Sequence, residues 1–518
     1  MVRLYADRVN RALLAVLAAA ISVFAFPPFG PGWLIVLGIA LFLTALRKAE
    51  GRGQGAVLGA IYGLGFFTGL MWWMSKLGLI ALVPMVLVEA AFFVIYSVWL
   101  SGQNDDPPVV WWVYAVGGWG IMELIRYRFP VGGLEWGAAG YALSDAAWSR
   151  GPAVTIGTTG LTILVVMIAG MIALGVTRRL TLRTGVVTGS LVVLILTLAA
   201  WPRPVSVPLP LLARIITVQG STPCPFEACP PDQRLRTFQQ HLELTKSIEA
   251  TGDIGLVVWS EGSTGSTNAD PVQNPEIGAA IGEQARRLGS WFLVGTDRPL
   301  DDETWVNANV VFNPDGEIVG EYRKQHGVPF GEYIPLRPLF DWIPALDAVP
   351  RDMIPGEGPV IFETGNGPLG SVISFEGGFS RYARQNVLAG AETLVVATNE
   401  GSYETTPASD QFIGMTRMRA TELGVPVVHA AVTGKSVFID AEGNLSETTG
   451  LGTQEVLESR FEVYRGETPY ARVGDVLIWL GAAAALVLWL VRYRLVGSAE
   501  VARFEEEENV GGVGEPAP

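Results

Sequence analysis

From residue 11 to about residue 200 the chain is almost continuously apolar. From 212 to 465 apolar runs alternate with polar, helix-like stretches, and from 474 to 491 the chain is apolar again. A helix needs roughly 20 apolar residues to cross about 30 Å of hydrocarbon. Seven such segments lie near 11–27, 31–46, 55–75, 78–100, 108–125, 153–176 and 184–201, and an eighth near 473–491. The pattern predicts an α-helical polytopic membrane bundle of about eight spans. A membrane domain over 1–205 precedes an α/β domain over 212–465. A last helix covers 473–492, and an acidic tail covers 495–518. The first span has basic residues ahead of it, as a signal peptide does. FAFPPFGPGW follows without an A-x-A cleavage site, so the helix reads as retained.

Basic residues in the short loops set orientation. With the N-terminus inside, the inner loops hold eleven Lys and Arg, among them Arg3, Arg47, Arg178 and Arg492. The outer loops hold five: Lys76, Arg126, Arg128, Arg150 and Arg203. Seven crossings then place the α/β domain outside the cytoplasm, and the eighth returns the tail to it. Glu89 and Glu123 are the obvious acids within spans. Without a visible repeat they make a transporter the weaker reading, and the bundle reads as a platform for the outer domain.

In that domain ARIITVQG, DIGLVVWSEG, SWFLVGTD, WVNANVVFNPDG, EIVGEYRKQ, GPLGSVISFEG and AETLVVATNEG read as strands. DQRLRTFQQHLELTKSIEA, EIGAAIGEQARRLGS, SRYARQNVLAG and DQFIGMTRMRATELG read as helices. VPVVHAAVTGKSVFIDAEGN reads as a hairpin with E-G-N at its turn. Strands alternating with helices predict α/β layers whose chemistry gathers at strand ends.

Composition narrows the function. Only 17% of residues are charged and 49% are hydrophobic, with a net charge of −14. No basic footprint for nucleic acid is present. Three His and two Cys make a His/Cys zinc site improbable, and no cofactor is expected. Cys224 and Cys229, in CPFEAC, fit either a short disulfide or two thiols.

Three strand ends carry unusual groups. VVWSE delivers Glu261, EYRKQHGVPFGEY delivers Lys324 and Glu332, and VISFE delivers Ser374 and Glu376. Singly, these are a loop acid, a surface Lys and a turn Ser. Together they supply a base, a cation and a nucleophile. The order and the stretch YRKQHGVPFGEYIP resemble the nitrilase (carbon-nitrogen hydrolase) superfamily. With seven spans before and one after, the chain resembles its apolipoprotein N-acyltransferases, and FAFPPFGPGW, VQGSTP and TRMRATELGVPVVHAAVTGKS extend the likeness.

The resemblance implies an αββα sandwich outside a bacterial inner (plasma) membrane. It implies transfer of an acyl chain from a phospholipid to the N-terminal diacylglyceryl-Cys of a lipoprotein. It makes Glu261 the general base, Lys324 the oxyanion stabiliser and Glu332 a supporting acid. Ser374 falls where the family has a nucleophilic Cys. Phe375 falls on a position that is commonly Tyr, and Glu376 on the acid after it. Asn399 to Tyr403, NEGSY, stands where the family has a lid segment resembling N-D-A-W-F. The Trp usual after the opening Q-G is missing from STPCPFEACPPDQ.

Ser374 leaves three readings open: a working but slow nucleophile, a lipid-binding relative without turnover, or a Cys changed to trap substrate. A membrane-bound amidohydrolase is a further alternative. Two other bases for a Ser are a buried, neutral Lys324 and a His of a Ser-His-Asp triad. Of His241, His326 and His429, only His326 lies near the site in sequence.

Overall fold

The structure is a computed structural model that describes residues 2–199, 214–224, 230, 233–340, 342–403, 405–460 and 467–492. Among the described residues seven long helices precede the α/β domain: α1 Val2–Phe24, α2 Leu34–Arg47, α3 Arg52–Leu70, α4 Leu79–Ser101, α5 Pro108–Arg126, α6 Ala153–Val176 and α7 Leu182–Ala199. A C-terminal helix covers Val476–Arg492. Each lies on one of the eight expected segments. Among the described residues α4, α5 and α6 are long and apolar enough to cross a membrane, while α2, most of α7 and the C-terminal helix are apolar but shorter. The tail and Cys229 lie outside the described residues. Cys224 is disulfide-bonded.

Small residues let the membrane helices approach. A Cβ on Gly59 of α3 would come within 2.6 Å of the Phe93 carbonyl of α4. Glu89 and Glu123 flank Arg126, at 3.0 and 2.7 Å. Arg126 also donates to the carbonyls of Leu134 and Trp136, each at 2.9 Å. The two acids within the helices therefore hold one guanidinium and, through it, the loop after α5.

The α/β domain has two sheets. One contains β1 (Arg214–Gln219), β2 (Ile254–Trp259), β3 (Trp291–Pro299), β4 (Thr304–Phe312), β5 (Ile318–Arg323) and the short β6 (Asp352–Met353). The other contains β7 (Phe362–Thr364), β8 (Gly367–Ile373), β9 (Thr393–Thr398), β10 (Val427–Ala431), β11 (Val437–Ile439) and β12 (Leu445–Thr448). The strand β13 (Glu455–Ser459) returns to the first sheet, giving the order β13-β1-β2-β3-β4-β5 with β6 on β4. The second runs β12-β11-β10-β9-β8-β7. The period of two along each strand builds three layers of core. Leu256, Val258 and Leu293 face Ile373, Val395 and Val428 between the sheets. Val257, Trp259 and Phe292 face outward, onto the helices Leu235–Ser247 and Pro275–Leu288. One expectation fails. The E-G-N turn joins β11 to β12, not β10 to β11, because Asp440 accepts from Glu442 and Asn444 to close that turn.

The outer face of the second sheet packs on the helix Ala408–Leu423. Its core of Val396, Val427, Phe412 and Met418 continues without a break into the membrane helices. Polar contacts lock this junction. Gly157 breaks the first turn of α6 with φ of 69°. A Cβ there would lie 2.1 Å from the Tyr470 ring. The helix restarts at Thr158, whose N–H and hydroxyl donate to Glu422 at 2.9 and 2.7 Å. Glu422, on the α/β domain, thus caps a helix long and apolar enough to cross a membrane. It also accepts from Ser380 at 2.7 Å and pairs with the fully buried Arg419 at 3.0 Å. Glu422→Ala strips these groups of their partner. It should destabilise the protein by about 3–5 kcal/mol, seen as a lower unfolding midpoint in detergent.

Candidate active site

The three expected strand ends bring their polar groups into one cluster. Glu261 lies two residues beyond β2, Lys324 directly follows β5, and Ser374 directly follows β8. Glu261 is 7% exposed and Lys324 1%. The Lys324 Nζ donates to Glu332 Oε1 at 2.7 Å and to Glu261 Oε1 at 3.4 Å. Asn307 of β4 also joins the two acids, donating to Glu261 at 2.7 Å and Glu332 at 3.3 Å. The other Glu332 oxygen accepts from the Val328 N–H at 2.7 Å, fixing the loop that carries it.

Burial raises the Glu261 carboxyl above its ordinary range, while Lys324 and hydrogen bonds from Asn307 and Ser374 oppose that. A carboxylate whose pKa is raised is the better proton acceptor. Burial works against the Lys324 charge, but Glu332 and Glu261 outweigh it and its pKa is raised. Lys324 is therefore a fixed cation. The neutral-Lys base considered for a Ser nucleophile does not fit this pair of carboxylates.

Ser374 has φ of 50°, in the left-handed region that side-chain-bearing residues avoid. The strain turns the chain sharply from β8 into the short helical turn Ser374–Gly378. Glu376, fully buried, holds that turn. One of its oxygens accepts from the Ile373 N–H at 2.7 Å and the Tyr322 hydroxyl at 2.8 Å. The other accepts from the N–H groups of Gln325 at 2.5 Å and His326 at 3.0 Å. Glu376 thereby staples the Ser374 turn to the segment just after Lys324. Burial pushes its carboxyl up to about 7 against these bonds.

Phe375 stacks on His326, ring centroids 5.3 Å apart at 17°. His326 is 8% exposed, its Nε2 has no hydrogen-bond partner, and burial lowers its pKa to about 3. It is a neutral aromatic wall. His241 takes the Gly220 N–H at 3.1 Å in a separate core, and His429 lies between Thr416 and Glu400. None of these pairings is with Ser374, so the His-based triad has no support here.

Asn399 and Tyr403 follow β9. Asn399 accepts from Gly401 at 3.1 Å, and its amide nitrogen lies within 3.0 Å of where a Cβ on Gly262 would sit, beside Glu261. The Tyr403 ring meets Trp73 edge-on at 4.7 Å, and Tyr403 lies within the electrostatic reach of Glu261 and Lys324. Trp73 belongs to the turn after α3, so the N-terminal helical region packs against the segment after β9. Gln411 ties it there, accepting from Trp73 at 3.2 Å and Trp136 at 2.9 Å. The sequence reading missed Asn307, Tyr322, Trp73 and Gln411. WVNANVV did carry a signal: its Asn residues occupy the phase that faces the other sheet.

Two family models match the chain. The apolipoprotein N-acyltransferase N-terminal domain matches residues 18–171, and carbon-nitrogen hydrolase matches residues 219–466. An apolipoprotein N-acyltransferase of Geobacter metallireducens is 28% identical, aligned over 93% of this chain and 95% of its own. That of Photobacterium profundum is 24% identical over 94% and 95%. Among solved structures, a carbon-nitrogen hydrolase from Helicobacter pylori covers 51% of this chain and 94% of its own, with 19% identity and a TM-score of 0.39. With both halves matched in order and relatives aligned from end to end, the chain belongs to the apolipoprotein N-acyltransferase family.

Proposed function

We propose that this protein moves an acyl chain from a membrane phospholipid to the α-amine of a lipoprotein's N-terminal diacylglyceryl-Cys. The observation that carries the reading is the Glu261 carboxylate, held by Lys324 and Asn307 with the Ser374 hydroxyl beside it. In the first half-reaction Glu261 takes the Ser374 proton and the oxygen attacks the phospholipid ester carbonyl. The Lys324 ammonium stabilises the oxyanion. The ester bond breaks, the departing lysophospholipid oxygen takes the proton from Glu261, and an acyl-Ser ester remains. In the second half the amine attacks that ester. Its proton passes through Glu261 to Ser374 as the amide forms. Glu332 and Glu376 hold the site, while Phe375, Asn399 and Tyr403 face substrate.

All eight helices cross a bacterial inner membrane in this reading, with domain limits at 1–205, 212–465 and 473–492 and the tail in the cytoplasm. The excess of Lys and Arg in the inner loops supports an extracytoplasmic outer domain. The Cys224 disulfide fits an oxidising compartment. The aromatic wall supplied by Trp73 fits lipid substrates that arrive from the bilayer.

The test is purified protein in mixed micelles with labelled phospholipid and a diacylated lipopeptide. Lysophospholipid and N-acylated peptide should appear in equal amounts. Absence of both products would remove the catalytic reading and leave the lipid-binding one.

A further inference from the structure

Transfer to an amine poses a proton problem that the Glu261 cycle does not solve. An α-amine has a pKa of about 8 and is mostly an ammonium at neutral pH. Nitrogen attacks only after losing one proton, and it loses another as the amide forms. Glu261 returns every proton it takes, first to the lysophospholipid oxygen and then to Ser374. One proton per turnover must therefore leave through another group.

Asp297 lies beside the cluster of Glu261, Lys324 and Glu332. It sits on β3 directly opposite Asn307 in the antiparallel register. Opposed residues project from the same face of a sheet, with Cβ atoms about 5 Å apart. Asn307 is the residue that bonds both Glu261 and Glu332. Among the described residues Asp297 Oδ1 is buried without a hydrogen-bond partner, although the residue as a whole keeps some exposure. The adjacent Arg298 does not pair with it. Successive residues alternate faces, and Arg298 meets Glu321 at 2.6 Å and Asp270 at 3.7 Å. The charges that act on Asp297 are Glu261, Glu332, Lys324 and Asp270.

We propose that Asp297 receives the acceptor's ammonium and takes its first proton, acting in the second half-reaction only. This rests on the acyl-transfer reading above. The ammonium passes one proton to the Asp297 carboxylate and becomes a neutral amine. Its nitrogen attacks the acyl-Ser carbonyl, forming the C–N bond. The nitrogen's second proton goes to Glu261 and from there to Ser374 Oγ as the C–O bond breaks. The third stays on the amide. Asp297 then gives its proton to water through its exposed side. Burial, with Glu261 and Glu332 nearby, pushes its carboxyl up to about 7, which suits a group that must both take and release a proton near neutrality.

The test measures the two half-reactions separately in Asp297→Asn and the unaltered protein, from pH 6 to pH 9. Lysophospholipid release reports the first half and peptide acylation the second. In Asp297→Asn, release should stay within about twofold, because the Ser374–Glu261 pair is intact. Peptide acylation should fall on the order of tenfold or more at pH 6 and recover toward the unaltered rate at pH 9, where the acceptor amine is already neutral. Three outcomes overturn the inference: acylation unchanged at pH 6, an equal deficit at pH 6 and pH 9, or parallel loss of both half-reactions. If the unaltered protein releases no lysophospholipid, the acyl-transfer reading itself falls. That result is distinct from normal release with a pH-independent Asp297→Asn.

Discussion

Ser374→Cys should raise acyl transfer on the order of 10²-fold, a barrier about 2.7 kcal/mol lower. A thiol ionises near pH 8.5, within reach of a carboxylate base, whereas an alkyl hydroxyl does not. Glu261 has its pKa raised by burial, and the Ser374 hydroxyl lies beside it. That base suffices for a thiol and is weak for a hydroxyl. The second half-reaction gains as well, because an amine opens a thioester more readily than an ester. The strained turn at Ser374 and its Glu376 staple do not depend on the side-chain atom. Initial rates of N-acyl peptide formation decide it, with Ser374→Ala as the inactive baseline. Equal rates for Ser and Cys would show that the site is built for oxygen.

Lys324→Met should cost both turnover and stability. The substitution removes the cation proposed to stabilise the oxyanion. It also leaves Glu261 and Glu332 facing each other around a neutral chain, where Lys324 now stands at 3.4 and 2.7 Å. Loss of one partner from a buried ion pair costs about 3–5 kcal/mol. Lys324 has its pKa raised above the ordinary 10.5, so its contribution is complete below that pH and is lost only as pH climbs through the folded value. The deficit in Lys324→Met should therefore persist across neutral pH. It should shrink toward pH 5, where the stranded carboxylates take up protons. Unfolding midpoints in detergent at pH 5 and pH 8 test the sign. A deficit that grows as pH falls contradicts the carboxylate-pair account.

The parts of the site that could be read from sequence are those where a local rule is broken. Glu261, Lys324 and Ser374 each end an apolar strand, and a strand-end polar group shows in one dimension. The helix and strand pattern was equally visible because periods of 2 and 3.6 are local. Asn307 and Tyr322 were hidden, because an inward polar residue on a strand gains meaning only once its facing strand is known. Trp73 and Gln411 are 338 residues apart, and no local pattern joins them. The sequence left a neutral Lys324 open as one alternative beside the oxyanion-binding cation. Its electrostatics depend on two acids brought from different strands, and burial alone suggested the opposite sign. The E-G-N turn was placed one strand early because the sequence does not say which of two successive hairpins a turn closes.

The shared core between the second sheet and the membrane helices has a consequence for biogenesis. The capping of Thr158 by Glu422 joins α6, made before the outer domain, to a helix made late in it. Tyr470 and Thr468, just ahead of the last helix, bond to Ser380 and to the Glu422 carbonyl. The Ser374 turn therefore reaches its final form only when chain made before and after it has arrived. Until the segment that carries Thr468 and Tyr470 has docked, Ser380 and the Glu422 carbonyl lack these partners. Assembly acts as a checkpoint: a chain truncated before residue 468 lacks the contacts that set Ser380, and with them the closing support for its own active turn.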